Sequence, residues 1–144
     1  MSDKVRTSGC ICGEVQLRLT GEPIIMGLCH CDSCRRWLGA PAHASALWHS
    51  NHVEVVRGAE SLSTYKRTPD TGSIRKFCKS CGAPVLIDHP PTFTDIPAVS
   101  ITDLEFKVEM HTNYAEKFIS VPDGQPKYRD FHPMVGGTGE LLPE

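Results

Sequence analysis

A mainly β domain of short strands, with one or two small helices, is the fold class this sequence predicts. Three observations predict it. Short stretches such as Glu14–Thr20 alternate polar and apolar side chains, the period of a half-buried strand. Glycine, proline and other turn residues punctuate the chain between such stretches. No stretch keeps a helical period beyond about two turns.

Val5 to Gly9 reads as a short strand after an end expected to fray over Met1 to Lys4. Glu14 to Thr20 is the second strand, closed by the turn Gly21-Glu22-Pro23. Ile24 to Leu28 is a brief apolar run, read as a buried strand that delivers the chain to Cys29. After Cys31 a short helix is expected, capped by Asp32 or Ser33. Gly39 ends it and Pro41 prevents continuation. Ala42 to Trp48, His52 to Arg57, Leu62 to Lys66, Ser73 to Phe77 and Pro84 to Asp88 read as further strands. Thr68-Pro69-Asp70-Thr71-Gly72 is a turn, and His89-Pro90-Pro91 ends the strand before it. Ile96 to Ile101 and Phe106 to Thr112 are read as the last two strands. The segment from Val121 is rich in proline and glycine and is expected to lie extended over the surface.

A chain of 144 residues is expected to form one domain with its own core, spanning 1–144. Net charge is −2, without the basic excess of a general nucleic-acid binder. Neither a signal-peptide pattern nor a membrane-length apolar run is present, so a cytoplasmic protein is expected. Seven cysteines in that setting read as metal or redox ligands rather than disulfides, and an odd count leaves one thiol over in any all-disulfide scheme.

The thiols fall in Cys10-x-Cys12, Cys29-x-Cys31-x-x-Cys34 and Cys78-x-x-Cys81. Thiols this close in sequence can converge on one ion. Gly13 and Gly82 follow a cysteine directly, and glycine permits the positive φ of a tight knuckle. Two partitions are open. One gives a closed site of Cys10, Cys12, Cys78 and Cys81 and an open site of Cys29, Cys31 and Cys34. The other makes a zinc ribbon of Cys31, Cys34, Cys78 and Cys81 and leaves Cys10, Cys12 and Cys29 over. Spacing alone slightly favours the ribbon.

Three motifs carry a resemblance that covers roughly residues 8–128. They are Ser8-Gly9-Cys10-Ile11-Cys12-Gly13-Glu14-Val15, Cys29-His30-Cys31-Asp32-Ser33-Cys34-Arg35-Arg36 with Gly39-Ala40-Pro41, and Arg75-Lys76-Phe77-Cys78-Lys79-Ser80-Cys81-Gly82-Ala83-Pro84. Together with His111 and the run Lys117 to Pro126, they closely resemble the glutathione-dependent formaldehyde-activating enzyme family, which includes proteins similar to centromere protein V. The resemblance implies an Mss4-like fold of short sheets tied by zinc. It implies two zinc ions per chain: a structural one on Cys10, Cys12, Cys78 and Cys81, and a second on Cys29, Cys31 and Cys34. It also implies a carbon–sulfur lyase activity at the second site, the condensation of glutathione with formaldehyde to S-(hydroxymethyl)glutathione. Phe118 departs from the tryptophan expected in many members, and Ser8 from a common glycine. Neither is a metal ligand.

Glutathione carries two carboxylates, and a guanidinium grips a carboxylate with two parallel hydrogen bonds. Arg35 and Arg36 are the nearest candidates; their plainer role is to balance the charge of anionic thiolates. Arg75, Lys76 and Lys79 read as solvated or structural. His30 alternates with two ligands and is expected to point away from them, with metal binding as its other reading. His111 reads as a packed or surface histidine, Trp37 and Trp48 as core, and Asp103 as a turn residue. A non-catalytic thiol carrier and a zinc-stabilised protein-interaction domain are the two readings outside catalysis.

Overall fold

The computed structural model describes residues 3–144, so Met1 and Ser2 of the expected frayed end lie outside the described residues. The fold is mainly β, with antiparallel and parallel strand pairs and a single α-helix among the described residues. In chain order the elements are β1 (Val5–Gly9), β2 (Gln16–Thr20), β3 (Ile25–Cys29), α1 (Asp32–Leu38), β4 (His43–His49), β5 (Val53–Arg57), β6 (Leu62–Tyr65), β7 (Ile74–Cys78), β8 (Pro84–His89), β9 (Phe93–Pro97) and β10 (His111–Thr112). Two compact units are present.

The first unit comprises residues 1–25 and 46–105. In it β1, β2 and β5 form an antiparallel sheet in that order. The alternation of β2 sets its faces: Leu17 and Leu19 are fully buried, while Gln16 and Arg18 face solvent. β1 alternates too, but its inward residues are polar. Arg6 is buried, donating to the carbonyl of Gly21 at 2.8 Å and pairing with Glu22 at 3.0 Å. A buried guanidinium is tolerable only when so paired. β9, β8, β7 and β6 are neighbours in that order. Val85, Leu86 and Ile87 on β8 and Ile96 on β9 join Val15 and Trp48 in the core, and the Trp48 indole donates to the carbonyl of Thr20 at 3.1 Å.

The second unit comprises residues 26–45 and 106–144. β10 pairs with β3 in parallel, with Thr112 opposite Cys29. α1 spans Asp32–Leu38, and Gly39 caps it in the left-handed region (φ 63°) as expected. Its N-cap is Cys31, not Asp32 or Ser33. Cys31 has extended backbone, and its sulfur accepts from the N–H of Cys34 at 3.2 Å.

Three other expectations are corrected. The strand read over Ile96 to Ile101 starts earlier, at Phe93, and stops at Pro97; a 3-10 turn then spans Ala98–Ser100. Proline cannot donate to a ladder, which fits the stop. The strand read over Phe106 to Thr112 is reduced to β10, although Glu109 and Met110 still exchange backbone bonds with Met26 and Leu28. The segment after Val121 does more than cover the surface. His111 donates to the carbonyl of Pro126 and accepts from the N–H of Tyr128, and Lys127 between them is 2% exposed. Residues 129–144 are not simply extended either: Pro133–Val135 is a 3-10 turn and Leu141 bridges back to Tyr128.

Candidate metal centres

The seven sulfurs form two groups. Cys10 and Cys12 follow β1, Cys78 ends β7, and Cys81 sits in the turn after it. The four Sγ atoms lie within 4.8 Å of one another, with Cys10 to Cys12 at 3.5 Å and Cys12 to Cys78 at 3.8 Å. Tetrahedral zinc with sulfur at about 2.3 Å needs sulfur–sulfur edges of about 3.8 Å. The donor set therefore fits one such ion. Local backbone makes the fit possible. Gly13 and Gly82 take φ of 79° and 77°, and a Cβ on either would meet no neighbour within 4 Å. Glycine is needed there for the left-handed turn and not for space. The N–H of Val15 donates to Cys10 Sγ at 3.2 Å, and Gly82 N–H to the carbonyl of Cys78 at 2.7 Å.

The electrostatics of the four thiols agree with the same fit. Backbone N–H donors at Ala83 and Cys12 bring the Cys81 thiol down to about 6. The Glu14 N–H would lower Cys12 as well, but competition from Cys10 and the other thiols pushes it up to about 12. Four thiols this close do not all ionise unaided; a cation among them removes that conflict. Glu14 flanks the group, accepting from the Ser80 hydroxyl, which is the main reason its carboxyl is held down.

The second group is Cys29, Cys31 and Cys34, again within 4.8 Å, and no further Cys, His, Asp or Glu among the described residues completes it. Strand β3 ends at Cys29 and α1 begins at Cys31, so one tight junction supplies all three. Hydrogen bonds from Cys31 and Cys34 hold the Cys29 thiol well below its ordinary range. Cys29 in turn pushes Cys31 up to about 11, and Cys29 and Cys31 together push Cys34 far up. The three sulfurs thus compete to ionise, and a cation among them would relieve that competition. Cys29 Sγ also accepts from the side-chain amide of Asn113 at 3.4 Å. Three donors fit a metal with one position left over.

His30 is fully buried and turns away from the sulfurs, as its alternation predicts. Its Nε2 meets His111 Nδ1 at 2.8 Å, and His111 Nε2 meets Asp123 Oδ2 at 2.8 Å. Lys127 pairs with Asp123 at 2.6 Å and with Glu144 at 2.7 Å. Asp123 accepts from His111 Nε2, and His30 Nε2 shares one proton with His111 Nδ1, while His30 Nδ1 is buried without a hydrogen-bond partner. Burial, followed by the neighbouring His111, lowers the His30 pKa to about 4, so the ring is neutral. Tyr114, fully buried, packs edge-on to both rings. His111 is thus a packed histidine. Sequence reasoning gave no role to Asn113 or Lys127, and placed Asp123 only within the run Lys117 to Pro126, because no motif spacing links them to the cysteines.

Arg35 and Arg36 line a surface groove of about 300 Å³ with Gly39, Ala40, Pro41 and Phe118. They are not equivalent. Arg35 is 20% exposed, donates from Nε to the carbonyl of His30 at 3.0 Å and lies 3.8 Å from Asp32. Arg36 is 74% exposed and 3.9 Å from the same carboxylate. Phe118 is 72% exposed. Among the other candidates, Arg75 is buried, Lys76 pairs with Asp88 at 3.1 Å, and Asp103 occupies a left-handed turn (φ 56°). No helix among the described residues is long and apolar enough to cross a membrane.

These features define a class: a small, mainly β protein with one four-thiol and one three-thiol group, each able to hold a metal ion. The model of the glutathione-dependent formaldehyde-activating enzyme family matches residues 5–120, and the chain belongs to that family. It is 29% identical over 73 residues to an uncharacterized lyase of Schizosaccharomyces pombe. That match covers 51% of this chain and 50% of the relative, so it spans about half the relative's length. A solved Rhodobacter sphaeroides protein, a structural-genomics target, is similar with a TM-score of 0.55 at 26% identity, covering 68% of this chain and 89% of its own.

Proposed function

We propose that the chain is a zinc-dependent carbon–sulfur lyase that condenses glutathione, or a related acidic thiol, with formaldehyde to give S-(hydroxymethyl)glutathione. The observation that carries the reading is a three-thiol group with no fourth protein donor among the described residues, whose helix also lines a groove with an exposed arginine. Family membership and the lyase of Schizosaccharomyces pombe support it. The reading includes two zinc ions per chain, an Mss4-like arrangement tied by the first, and a cytoplasmic location. Small-molecule thiol and aldehyde are its partners, without nucleic acid or membrane.

Zinc held by Cys29, Cys31 and Cys34 would supply a charge that keeps thiols deprotonated at neutral pH. The remaining work belongs to the chain. Arg36 pairs with a carboxylate of the thiol substrate, and Arg35 offers what its bonds to His30 and Asp32 leave free. Phe118 gives the groove an apolar wall. The substrate sulfur adds to the aldehyde carbon, the carbon–oxygen π pair moves to oxygen, and oxygen takes the proton the thiol gave up. Positioning is the main gain, worth up to ~7–11 kcal/mol in ideal intramolecular cases. Because free thiols add formaldehyde unaided, the deciding experiment compares product formation by the zinc-loaded protein with that in buffer. Faster formation, together with glutathione binding seen by calorimetry, is expected. Binding without acceleration would leave a thiol carrier, and no binding at millimolar glutathione would leave an interaction domain.

A further inference from the structure

We propose that Asn113 is a positioning residue of the three-cysteine site: its side-chain amide holds Cys29 Sγ where three sulfurs can meet one metal ion. This rests on the reading that the site binds metal. The parallel pairing of β10 with β3 places Thr112 opposite Cys29, and the N–H of His30 donates to the carbonyl of Thr112 at 3.0 Å. The chain then turns sharply. Asn113 adopts the left-handed conformation (φ 52°, ψ 38°), and its Nδ2 reaches Cys29 Sγ at 3.4 Å. Asparagine tolerates that backbone better than most residues. It also carries a side-chain N–H donor, which aspartate and glycine both lack. The turn is anchored from outside the strand pair: Asn113 N–H donates to the carbonyl of Asp130 at 2.6 Å and Tyr114 N–H to that of Tyr128 at 3.0 Å. Just before it, His111 is clamped between His30 and Asp123. Asn113 and Cys29 are 7% and 9% exposed, so water competes little for this bond. Partners of metal ligands orient the ligand and raise retention, and their loss typically costs about 10–100-fold in metal affinity.

The test uses the full chain loaded with metal. Asn113→Gly keeps the left-handed backbone and removes the amide; Asn113→Asp keeps the shape and replaces the donor with a carboxylate. Chelator competition should show one of two ions leaving Asn113→Gly at about 10–100-fold lower chelator concentration than wild type, and Asn113→Asp losing it more readily still. In the cobalt-loaded protein the thiolate-to-metal absorption of that ion should shift while the four-cysteine component stays unchanged. A wild type that takes up one ion only would defeat the metal-site reading itself. A wild type with two ions, and an Asn113→Gly form that keeps both with an unchanged spectrum, would overturn the role of Asn113 alone. Should either variant fold poorly, wild type suffices: an Asn113 side-chain amide proton must show a through-hydrogen-bond coupling to cadmium when the site is loaded with 113Cd, and an uncoupled resonance refutes the proposal.

Discussion

Replacing one ligand in each group should have unequal consequences. Cys12 and Cys78 stand 66 residues apart in sequence and 3.8 Å apart at their sulfurs. An ion on Cys10, Cys12, Cys78 and Cys81 therefore closes a long loop. The chain-entropy estimate for a 66-residue closure is about 4 kcal/mol, against about 2 kcal/mol for a local five-residue one such as Cys29 to Cys34. Losing about 4 kcal/mol would lower the melting temperature by about 8–16 °C in a protein of this size. Whole-domain stabilities run only ~5–15 kcal/mol, so Cys78→Ser should lose one zinc and fold poorly or not at all. Cys31→Ser should behave differently. It loses the other zinc and ligand binding, but serine is itself a favoured N-cap, so α1 keeps the bond to the Cys34 N–H. The assay is zinc content per chain together with a thermal melt for wild type and both variants. If Cys31→Ser melts as badly as Cys78→Ser, or loses both ions, the division of the cysteines is wrong.

Arg36→Ala should weaken glutathione binding by ~1.5–3 kcal/mol, the range for charged hydrogen bonds, with zinc content and melt unchanged. Arg36→Lys should restore part of it because the fork geometry is lost, and calorimetry that finds Arg36→Ala unchanged removes Arg36 from the ligand site. Arg35→Ala should also lower the melt, since Arg35 holds the His30 carbonyl. Asp123 gives a pH prediction. Burial alone would raise its pKa, but Lys127 and His111 override this and hold it well below the usual carboxylate range. A folded pKa below the unfolded one, near 3.9, means stability that is present above about pH 4 and lost as acid protonates the native carboxylate. Asp123→Asn should therefore be less stable at neutral pH and show a shallower acid limb, and equal melts across the range would contradict the clamp.

What was legible in the sequence is what local chemistry decides. The alternation of β2 announced Leu17 and Leu19 as inward, and Gly39 ended α1 because only the left-handed cap fits there. The cysteine spacings showed which thiols lie close, but spacing alone leaned toward a ribbon of Cys31, Cys34, Cys78 and Cys81. The folded chain keeps these pairs in different groups. The meeting of the end of β1 with the end of β7, strands of different sheets, decides that, and no short window of sequence contains it. The same limit hid the His30 to His111 contact, which joins residues 81 positions apart, and the burial of Lys127 in a stretch that reads as a proline-rich surface strap. The cap of α1 was missed for another reason. Asp32 and Ser33 are far commoner caps than cysteine, and that preference outweighed the one residue whose sulfur was placed to reach the first turn.

That cap makes Cys31 serve two structures with one sulfur atom. A seven-residue helix is too short to persist without tertiary support, so the hold on its first turn matters to all of it. Arg35 and Arg36 ride on the same helix, five residues or fewer from that sulfur. An ion drawn to Cys31 and an anion drawn to Arg36 would then both favour the wound state of α1. Two ligands that favour the same state of one element must favour each other by the same factor in both directions. Zinc at the thiols would tighten the grip on a carboxylate, and a carboxylate in the groove would slow the loss of zinc, without the two touching.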